Sequence, residues 1–358
     1  CEIFTCVFMY RNNIMRIRKT KLAIGIVAVI AVVSLAMIGK KENANKQFLS
    51  VATASTGGTY YPMGVGLANV WSTHLKDRGI QVTGQSSAGS IENIYLMQQN
   101  EAQLSILQSL LAVEAYEGVR NFEGKPEKNL RSISMLWPNV EHFVLMNDKV
   151  KTGTLDDIRA TSFSVGPQAS GTEQSTIIIL KGVNLTKKEI TPEYLGYGDT
   201  VSAMRDGRLD GGALPAGVPA SAVTDMYASG VNAKLLEVTD KQLDDINHIA
   251  NSWFRFEIPA NTYPRQAEKV NTIAQPNILM TTTSIDDQLV YELTKTMFEN
   301  LPEVHQVHSA AKYITTENAL KGVSVPLHLG AYRYYKEIGL DIPDYLIPPE
   351  AQTQTNNK

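Results

Sequence analysis

The sequence predicts an α/β fold with two lobes, and three observations support it. From Phe48 onward, strand-like and helix-like segments alternate, which is the pattern of a parallel sheet covered by helices. The alternation breaks off near residue 147 and restarts at Thr161. The chain also has 358 residues, which is more than one hydrophobic core usually serves. We therefore expect two α/β lobes with a ligand cleft between them, since ligands bind beyond the carboxyl ends of parallel strands.

The first predicted lobe opens with three strand–helix units. Each unit begins with a short apolar strand, continues through a turn and ends in a helix. The strands cover 48–54, 80–85 and 103–108, and the helices cover 63–78, 91–99 and 109–116. Two further strands, 132–137 and 140–147, have little helix between them, so we place the connection between the lobes there.

The second predicted lobe repeats this pattern and is followed by a return to the first. Its elements are a strand at 161–165, a helix ending at 181, a helix at 200–206, a strand at 211–214 and a helix at 218–227. The returning elements are a strand at 271–283 and helices at 285–300, 302–312 and 329–338. The predicted divisions are 47–147 and 256–345 for the first lobe, 148–255 for the second, and 346–358 for a disordered polar tail.

Residues 1–46 are predicted to be a signal peptide or an N-terminal anchor with an upstream extension. Basic residues between Arg11 and Lys21 precede an uninterrupted apolar run of 17 residues, Leu22–Ile38. Within this run, Ser34 and Ala36 are small residues at the spacing that signal peptidase accepts, which favours cleavage over retention as an anchor. We therefore expect an exported protein that lies in the periplasm.

Composition and charge exclude several classes of protein. Hydrophobic residues make up 43% of the chain and charged residues 19%, as in ordinary globular proteins. Cys1 and Cys6 both precede the apolar run, so the exported part is expected to form no disulfide and no thiolate metal site. Removing the eight basic and two acidic residues of the first 46 leaves 25 basic and 34 acidic residues, a net charge of −9. Such a protein suits a freely diffusing monomer that does not bind nucleic acid.

Four loops at predicted strand ends are rich in glycine, serine and threonine, at 55–62, 86–93, 108–109 and 166–173. These residues let the backbone approach a ligand and supply hydroxyl donors, and helix N-termini add free N–H groups, which together favour an anion. A helix cap or an ordinary turn explains any one loop as well, but four loops from both lobes favour a site. The candidate ligand-binding residues are Thr56, Gly58, Thr59, Tyr60, Ser87, Ser90, Asn93, Gln108, Ser109, Ser170, Gly171, Thr172 and Tyr263. For the tyrosines, packing in the core is the alternative interpretation.

The order of motifs resembles the TAXI-type receptors of tripartite ATP-independent periplasmic (TRAP) transporters over about residues 48–340. The motifs are Thr56-Gly-Gly-Thr-Tyr-Tyr-Pro62, Ser90-Ile-Glu-Asn93, Gln103-Leu-Ser-Ile-Leu-Gln-Ser109, Ser170-Gly-Thr-Glu173, Asp206-Gly-Arg-Leu-Asp210, Ile258-Pro-Ala-Asn-Thr-Tyr-Pro264 and Val325-Pro-Leu-His-Leu-Gly-Ala-Tyr332. This resemblance implies a periplasmic-binding-protein fold of the second type and a solute receptor without a cofactor. It further implies TRAP-type membrane permease subunits, driven by an ion gradient, as partners. The implied ligand is a small carboxylate or amino acid such as glutamate, glutamine or 2-oxoglutarate.

The predicted cleft loops contain no arginine or lysine. Other TRAP receptors typically clamp a carboxylate with a buried arginine, so anion binding here is expected to depend on helix dipoles and hydroxyl groups. A neutral polar ligand therefore remains open. Arg265 is the nearest candidate for a charge partner, and a solvated surface position is the alternative for it.

Enzymatic motifs are not apparent in the sequence. There is no Gly-x-Ser-x-Gly elbow and no His-Glu-x-x-His helix. His305 and His308 lie three positions apart on a predicted helix, but two histidines without a third ligand are more often surface residues. We predict a receptor that is not an enzyme and holds no metal. A ligand sensor for a membrane kinase and, less favoured, an exported enzyme remain as alternatives.

Overall fold

The computed structural model describes residues 46–355, which form two β-sheets covered by helices. The strands are β1 (Gln47–Ala52), β2 (Ile80–Gln85), β3 (Leu104–Gln108), β4 (Leu130–Val140), β5 (Phe143–Met146), β6 (Ser162–Ser164), β7 (Thr191–Glu193), β8 (Gly211–Ala213), β9 (Ala233–Leu235), β10 (Phe254–Ile258) and β11 (Val270–Thr282). The helices are α1 (Tyr60–His74), α2 (Ser90–Gln98), α3 (Ser109–Glu117), α4 (Gly171–Gly182), α5 (Tyr197–Arg205), α6 (Ser221–Ala228), α7 (Asp240–Ile249), α8 (Asp287–Glu299), α9 (Leu301–Val307), α10 (Leu329–Glu337) and α11 (Pro349–Thr355). The predicted signal peptide or anchor lies outside the described residues.

The two sheets share one strand order. The first sheet runs β10-β11-β3-β1-β2, with β4 also paired to β11, and the second runs β7-β6-β8-β5-β9. In the first sheet the order β2-β1-β3 is followed by the antiparallel strand β11, and in the second sheet the order β7-β6-β8 is followed by the antiparallel strand β5. In both sheets, therefore, the earliest of the three strands lies between the other two and an antiparallel strand comes next. Two copies of one α/β topology in a single chain make the two-lobed fold of the second type, and the predicted fold class is confirmed. We call the first sheet with its helices the first lobe and the second sheet with its helices the second lobe.

Burial explains why the strand sequences are continuous apolar runs rather than alternations of apolar and polar residues. Every residue of β3 and of β4 is buried, and so are nearly all residues of β11, because helices or strands cover both faces of the first sheet. Trp71 and Trp137 are fully buried in one large core cluster, while Val223 and Met226 belong to a second cluster in the second lobe.

The chain passes between the sheets at the end of β4. Val140 pairs with Ala274 of β11 in the first sheet and forms a bridge to Ala216, which follows β8 of the second sheet. Phe143 already pairs with a strand of the second sheet, so the crossing lies a few residues before the predicted boundary at 147. The chain returns to the first sheet at β10.

Helix α7 and the C-terminal tail both differ from the sequence-based expectations. Helix α7 was not predicted, although Thr239 and Gln242 form a capping box at its start. The prediction of a disordered tail from residue 346 is wrong for the described part, because Leu346 is fully buried and Glu350 pairs with Arg131 at 2.5 Å. Within residues 46–355, the helices are all too short or too polar to cross a membrane.

Candidate functional site

A small cavity lies where the strand ends of the two lobes face each other. Its volume is about 20 Å³, which is room for one water molecule. The residues that line it are Ala54, Ser55, Gly58, Thr59, Tyr60, Ala88, Ser90, Gln108, Asn139, Pro167, Gly171, Thr172, Tyr197 and Pro215. The cavity therefore has walls from both lobes and lies at the edge where α/β sheets bind ligands.

The first lobe contributes the starts of two helices and the end of β3. The Tyr60 hydroxyl, in the first turn of α1, donates to Asn277 Oδ1 at 2.5 Å. Ser90 Oγ, at the start of α2, accepts from the Gln108 backbone N–H at 3.1 Å. Burial raises the pKa of Tyr60 well above its ordinary value, so its hydroxyl stays neutral. This wall therefore presents neutral hydroxyl and amide groups beside two helix N-termini.

The second lobe contributes the starts of α4 and α5. The Tyr197 hydroxyl donates to the Pro215 carbonyl at 2.7 Å and lies 2.8 Å from Thr172 Oγ1. Because the tyrosine proton is engaged with the carbonyl, Thr172 is the donor in this second bond. Burial raises the pKa of Tyr197, so the hydroxyl pair is neutral. Neither hydroxyl is bonded to a base, and the pair suits binding rather than nucleophilic attack.

The two lobes touch at the mouth of the cavity. The Glu92 N–H donates to the Ala169 carbonyl at 3.1 Å, and the Ala222 N–H donates to the Gly57 carbonyl at 3.2 Å. A β-carbon added to Gly171 would lie 2.7 Å from Ser90 Oγ, closer than real β-carbon contacts come. The lobes are thus closed on each other, and the absence of a side chain at Gly171 permits this approach.

The floor of the cavity is the polar face of β4 and β11. Asn139 lines the cavity and is paired across the strands with Gln275, and Trp137 is paired with Asn277. Among residues 46–355, three polar atoms of this face are buried without a hydrogen-bond partner: Asn139 Oδ1, Asn277 Nδ2 and Trp137 Nε1. Such atoms are rare in folded proteins because each costs about 1–3 kcal/mol. Of these three residues Asn139 lines the cavity, so its Oδ1 offers unused hydrogen-bonding capacity to a ligand.

Glu141 directly follows β4, two residues beyond Asn139 in the sequence, and is fully buried. Its Oε1 accepts from the Trp253 indole N–H at 3.2 Å, whereas Oε2 has no partner among the described residues. Burial raises the pKa of Glu141 to about 8, and its charge in turn raises the pKa values of Tyr60 and Tyr197. An acid close to the cavity hydroxyls can therefore carry a proton at neutral pH.

Tyr263 packs inside the second lobe rather than at the cavity. His142 Nδ1 lies 2.8 Å from the Val140 carbonyl and donates to it, which leaves Nε2 to accept from the Tyr263 hydroxyl at 2.7 Å. The same hydroxyl accepts from the Ala220 N–H at 2.9 Å, so it is fully engaged. Burial lowers the pKa of His142 to about 4, consistent with this neutral pair. Arg265 donates to the Tyr227 carbonyl and lies in a surface groove away from the cavity.

The structure divides the predicted site residues into two groups. Those that line the cavity are Gly58, Thr59, Tyr60, Ser90, Gln108, Gly171 and Thr172. Those that do not are Thr56, Ser87, Asn93, Ser109, Ser170 and Tyr263. Ligand contact by the first group stays a prediction.

Most of the second group support the loops instead. Ser87 Oγ donates to Asn93 Oδ1 at 2.6 Å, and the Asn93 amide donates to the Thr53 and Ile106 carbonyls. Ser170 caps α4 by accepting from the Glu173 N–H at 2.9 Å. Thr56 is exposed, and Ser109 faces a separate groove. Helix capping, the alternative interpretation of these loops, is correct for Ser170.

The sequence interpretation missed Asn139, Tyr197 and Pro215. Tyr197 lies in Gly196-Tyr197-Gly198 at the start of α5, which is the same signal as in the other loops. Strand β7, which precedes it, has only three residues and includes Pro192, so it was not recognised as a strand. Asn139 is a polar residue inside an apolar run, and that is the signal that could have found it.

The cavity lining, as far as the described residues go, is free of lysine and arginine. Within residues 46–355, no three histidine, cysteine, aspartate or glutamate side chains come together to hold a metal ion. What the lining offers instead is helix N-termini, hydroxyls and amides, which bind small polar or anionic groups.

Solved structures that are similar to the chain include three binding proteins. SsuA of Xanthomonas axonopodis pv. citri, an alkanesulfonate-binding protein bound to MOPS, has 12% identity over 87% of this chain and 91% of its own, with a TM-score of 0.43. SsuA of Escherichia coli, a periplasmic aliphatic sulphonate binding protein, has 13% identity over 87% and 91%, with a TM-score of 0.44. PhnD1 of Prochlorococcus marinus, in complex with methylphosphonate, has 12% identity over 75% and 91%, with a TM-score of 0.48.

The family comparison covers most of the chain. The NMT1-like family profile matches residues 51–339, which include every residue that lines the cavity. The chain therefore belongs to the NMT1-like family.

Proposed function

We propose that the protein is the extracytoplasmic solute receptor of a TRAP-type secondary transporter, which captures a small carboxylate such as glutamate or 2-oxoglutarate between its lobes. The observation that carries this proposal is the convergence of helix N-termini from both lobes on one cavity. Helices α1 and α2 begin there in the first lobe, and α4 and α5 in the second. Their free N–H groups and positive dipole ends favour a ligand with negative charge.

Capture requires the lobes to move apart and close again. The closed cavity of about 20 Å³ is too small for a dicarboxylate. The bonds that join the lobes at the cavity include the backbone bonds from Glu92 to Ala169 and from Ala222 to Gly57 and the two bonds between Thr59 Oγ1 and the backbone of Gly217. A ligand that bonds to both walls stabilises the closed state over the open one, and the membrane permease then recognises that closed state.

The periplasmic location and the permease partner are supported by the ordered motifs in residues 48–340 and by the basic and apolar segment that precedes them. The receptor role, rather than an enzymatic one, is supported by the hydroxyl pair of Thr172 and Tyr197, which ends on a carbonyl and not on a base. Uptake of labelled 2-oxoglutarate into proteoliposomes that carry the permease subunits tests the transport role. Uptake that does not depend on added receptor would contradict it.

Ligand binding is tested by isothermal titration calorimetry with 2-oxoglutarate, L-glutamate and their neutral analogues. Thr172→Ala removes a hydroxyl that must turn from Tyr197 to donate to the ligand, and it is expected to weaken binding by about 1–2 kcal/mol, roughly 5- to 30-fold. Thr191→Ala is the matched control, because Thr191 is an exposed threonine of the same lobe. Binding by the neutral analogues alone would overturn the carboxylate assignment, and equal affinities of the two variants would overturn the cavity assignment.

A further inference from the structure

An anion in this cavity would lack an ordinary charge partner. The lining contributes hydroxyls, amides and glycines, and its described residues include no basic side chain. Burying a carboxylate without a partner is costly, and helix dipoles offset only part of that cost. The acid whose charge acts on both cavity tyrosines is Glu141, and its negative charge would also repel the ligand. This conflict disappears if the acid is protonated.

The geometry of the floor also favours a protonated Glu141. Glu141 directly follows β4, two residues beyond Asn139, and its side chain is fully buried. Each ends in a buried oxygen without a donor among the described residues, Glu141 Oε2 and Asn139 Oδ1. Two neighbouring acceptors cannot satisfy each other, whereas a proton on Oε2 turns one of them into a donor.

The groups that surround Glu141 leave this proton in place. Tyr60 from α1 and Tyr197 from α5 are neutral hydroxyls, since burial raises the pKa of each. His142, the next residue, is neutral because burial lowers its pKa to about 4. His308, just before the turn that packs on β4, also has a pKa lowered by burial and bonds to the Pro219 carbonyl.

The remaining neighbours carry no compensating positive charge. Trp253 supplies only its indole N–H, and β11 has no ionisable residue over Val270–Thr282. Arg255 of β10 is directed to the Val238 and Thr272 carbonyls and to Asp240. With no cation to hold the carboxylate form, burial dominates and raises the pKa of Glu141 to about 8.

We propose that Glu141 takes up a proton from solvent when an anionic ligand enters the cavity, so that a neutral carboxyl, rather than arginine or lysine, accompanies the ligand's negative charge. The inference rests on the proposed function, because it requires an anionic ligand. The ligand keeps its own charge, and one proton is transferred from the buffer to Oε2. By linkage, the ligand's charge strengthens proton binding at Glu141, and the proton strengthens ligand binding equally.

Calorimetric titration with 2-oxoglutarate tests this proposal, because both of its carboxylates stay ionised between pH 7 and 9. Measured in buffers with different ionisation enthalpies, proton uptake should be about 0.1 per ligand at pH 7, about 0.5 at pH 8 and about 0.9 at pH 9. The dissociation constant should rise by nearly tenfold per pH unit above pH 8 and stay almost constant below pH 7. The working range of the receptor is therefore at and below neutral pH.

Two variants separate Glu141 from other sources of pH dependence. Glu141→Gln keeps a hydrogen-bond donor but cannot titrate, so its affinity should be independent of pH and its proton uptake should vanish. Glu114→Gln is the matched control: Glu114 is a second buried acid with a raised pKa, but it lies in α3 and pairs with Arg120. It should keep the wild-type pH profile.

Each outcome decides between the proposals. Wild-type protein that binds 2-oxoglutarate with equal affinity at pH 7 and 9 and no proton uptake overturns this inference and leaves the receptor function intact. A pH profile that persists in Glu141→Gln overturns the assignment to Glu141. If neither 2-oxoglutarate nor L-glutamate binds at any pH, the ligand class and this inference both fail. If Glu141→Gln does not fold by circular dichroism, the wild-type buffer series alone decides.

Discussion

Replacing Gly171 with alanine tests whether the lobes must meet as closely as they do for the ligand to be held. The added β-carbon would lie 2.7 Å from Ser90 Oγ and 2.8 Å from Gln108 Cδ, across the seam between the lobes. Ordinary contacts of a β-carbon begin at 3.4 Å, so the walls must stay apart by about 0.6 to 0.7 Å more than in the closed state. Ser90 cannot simply turn away, because its hydroxyl accepts the Gln108 N–H.

The expected result is weaker binding without loss of stability. A gap of that size lengthens hydrogen bonds across the seam, such as the 3.1 Å bond from Glu92 to Ala169, beyond their useful range. Losing one or two such bonds corresponds to about 1–3 kcal/mol, a roughly 5- to 150-fold rise in the dissociation constant for 2-oxoglutarate. The open state is not strained, because Gly171 has no positive φ and alanine suits a helix.

Calorimetry gives the affinity, and small-angle X-ray scattering with saturating 2-oxoglutarate reports how far the lobes close. Gly198→Ala is the control, since Gly198 also lies in the first turn of a helix of the second lobe and a β-carbon there meets nothing within 4 Å. It should bind as the wild type does. Wild-type affinity in Gly171→Ala would refute the reasoning, because the seam would then not limit closure.

Three further predictions concern stability, each measured by urea denaturation. Tyr263→Phe removes a buried hydroxyl that bonds to His142 and Ala220, so it should lower the free energy of unfolding by about 1–3 kcal/mol. The affinity for 2-oxoglutarate should stay unchanged, and a larger change in affinity than in stability would contradict the structural role of Tyr263. Glu141 has a folded-state pKa raised to about 8 from an ordinary 4.5, so the stability it contributes is complete below pH 4.5 and is lost as pH rises through 8. Between pH 6 and 9 the wild type should lose about 2–3 kcal/mol relative to Glu141→Gln, and parallel profiles would show that the acid is not buried. Leu346→Ala should cost about 2–4 kcal/mol, because Leu346 is fully buried; the exposed neighbour Tyr345→Ala should cost little, and equal effects would support the disordered tail.

The sequence predicted the fold well where local chemistry and burial agree. Strands such as β3 are apolar because helices cover both of their faces, and glycine, serine and threonine follow them because helix starts need caps and close backbone approach. The same signal found Ser90 and Thr172 at the cavity. It also selected Ser170, whose hydroxyl is used by its own helix, because capping and ligand binding need the same residue types.

The remaining errors come from contacts that join distant parts of the chain. Tyr263 is bonded to His142, 121 positions earlier, and no local pattern distinguishes this pair from a tyrosine at a ligand. Asn139 reaches the cavity only because β4 is laid beside β11 from the other end of the chain. The burial of Leu346 could not be predicted for the same reason, because the composition of the tail alone suggests disorder.

Val140 belongs to both sheets, since it pairs with Ala274 on one side and exchanges two backbone bonds of 2.9 Å with Ala216 on the other. It lies between Asn139 and Glu141, so the pivot about which the lobes would swing is one residue away from the floor of the cavity. Ligand binding and the opening or closing of the lobes are then coupled directly, because a ligand that rearranges the floor acts on a residue next to the hinge. A substitution at the floor should therefore shift the balance of open and closed protein even before any ligand is added.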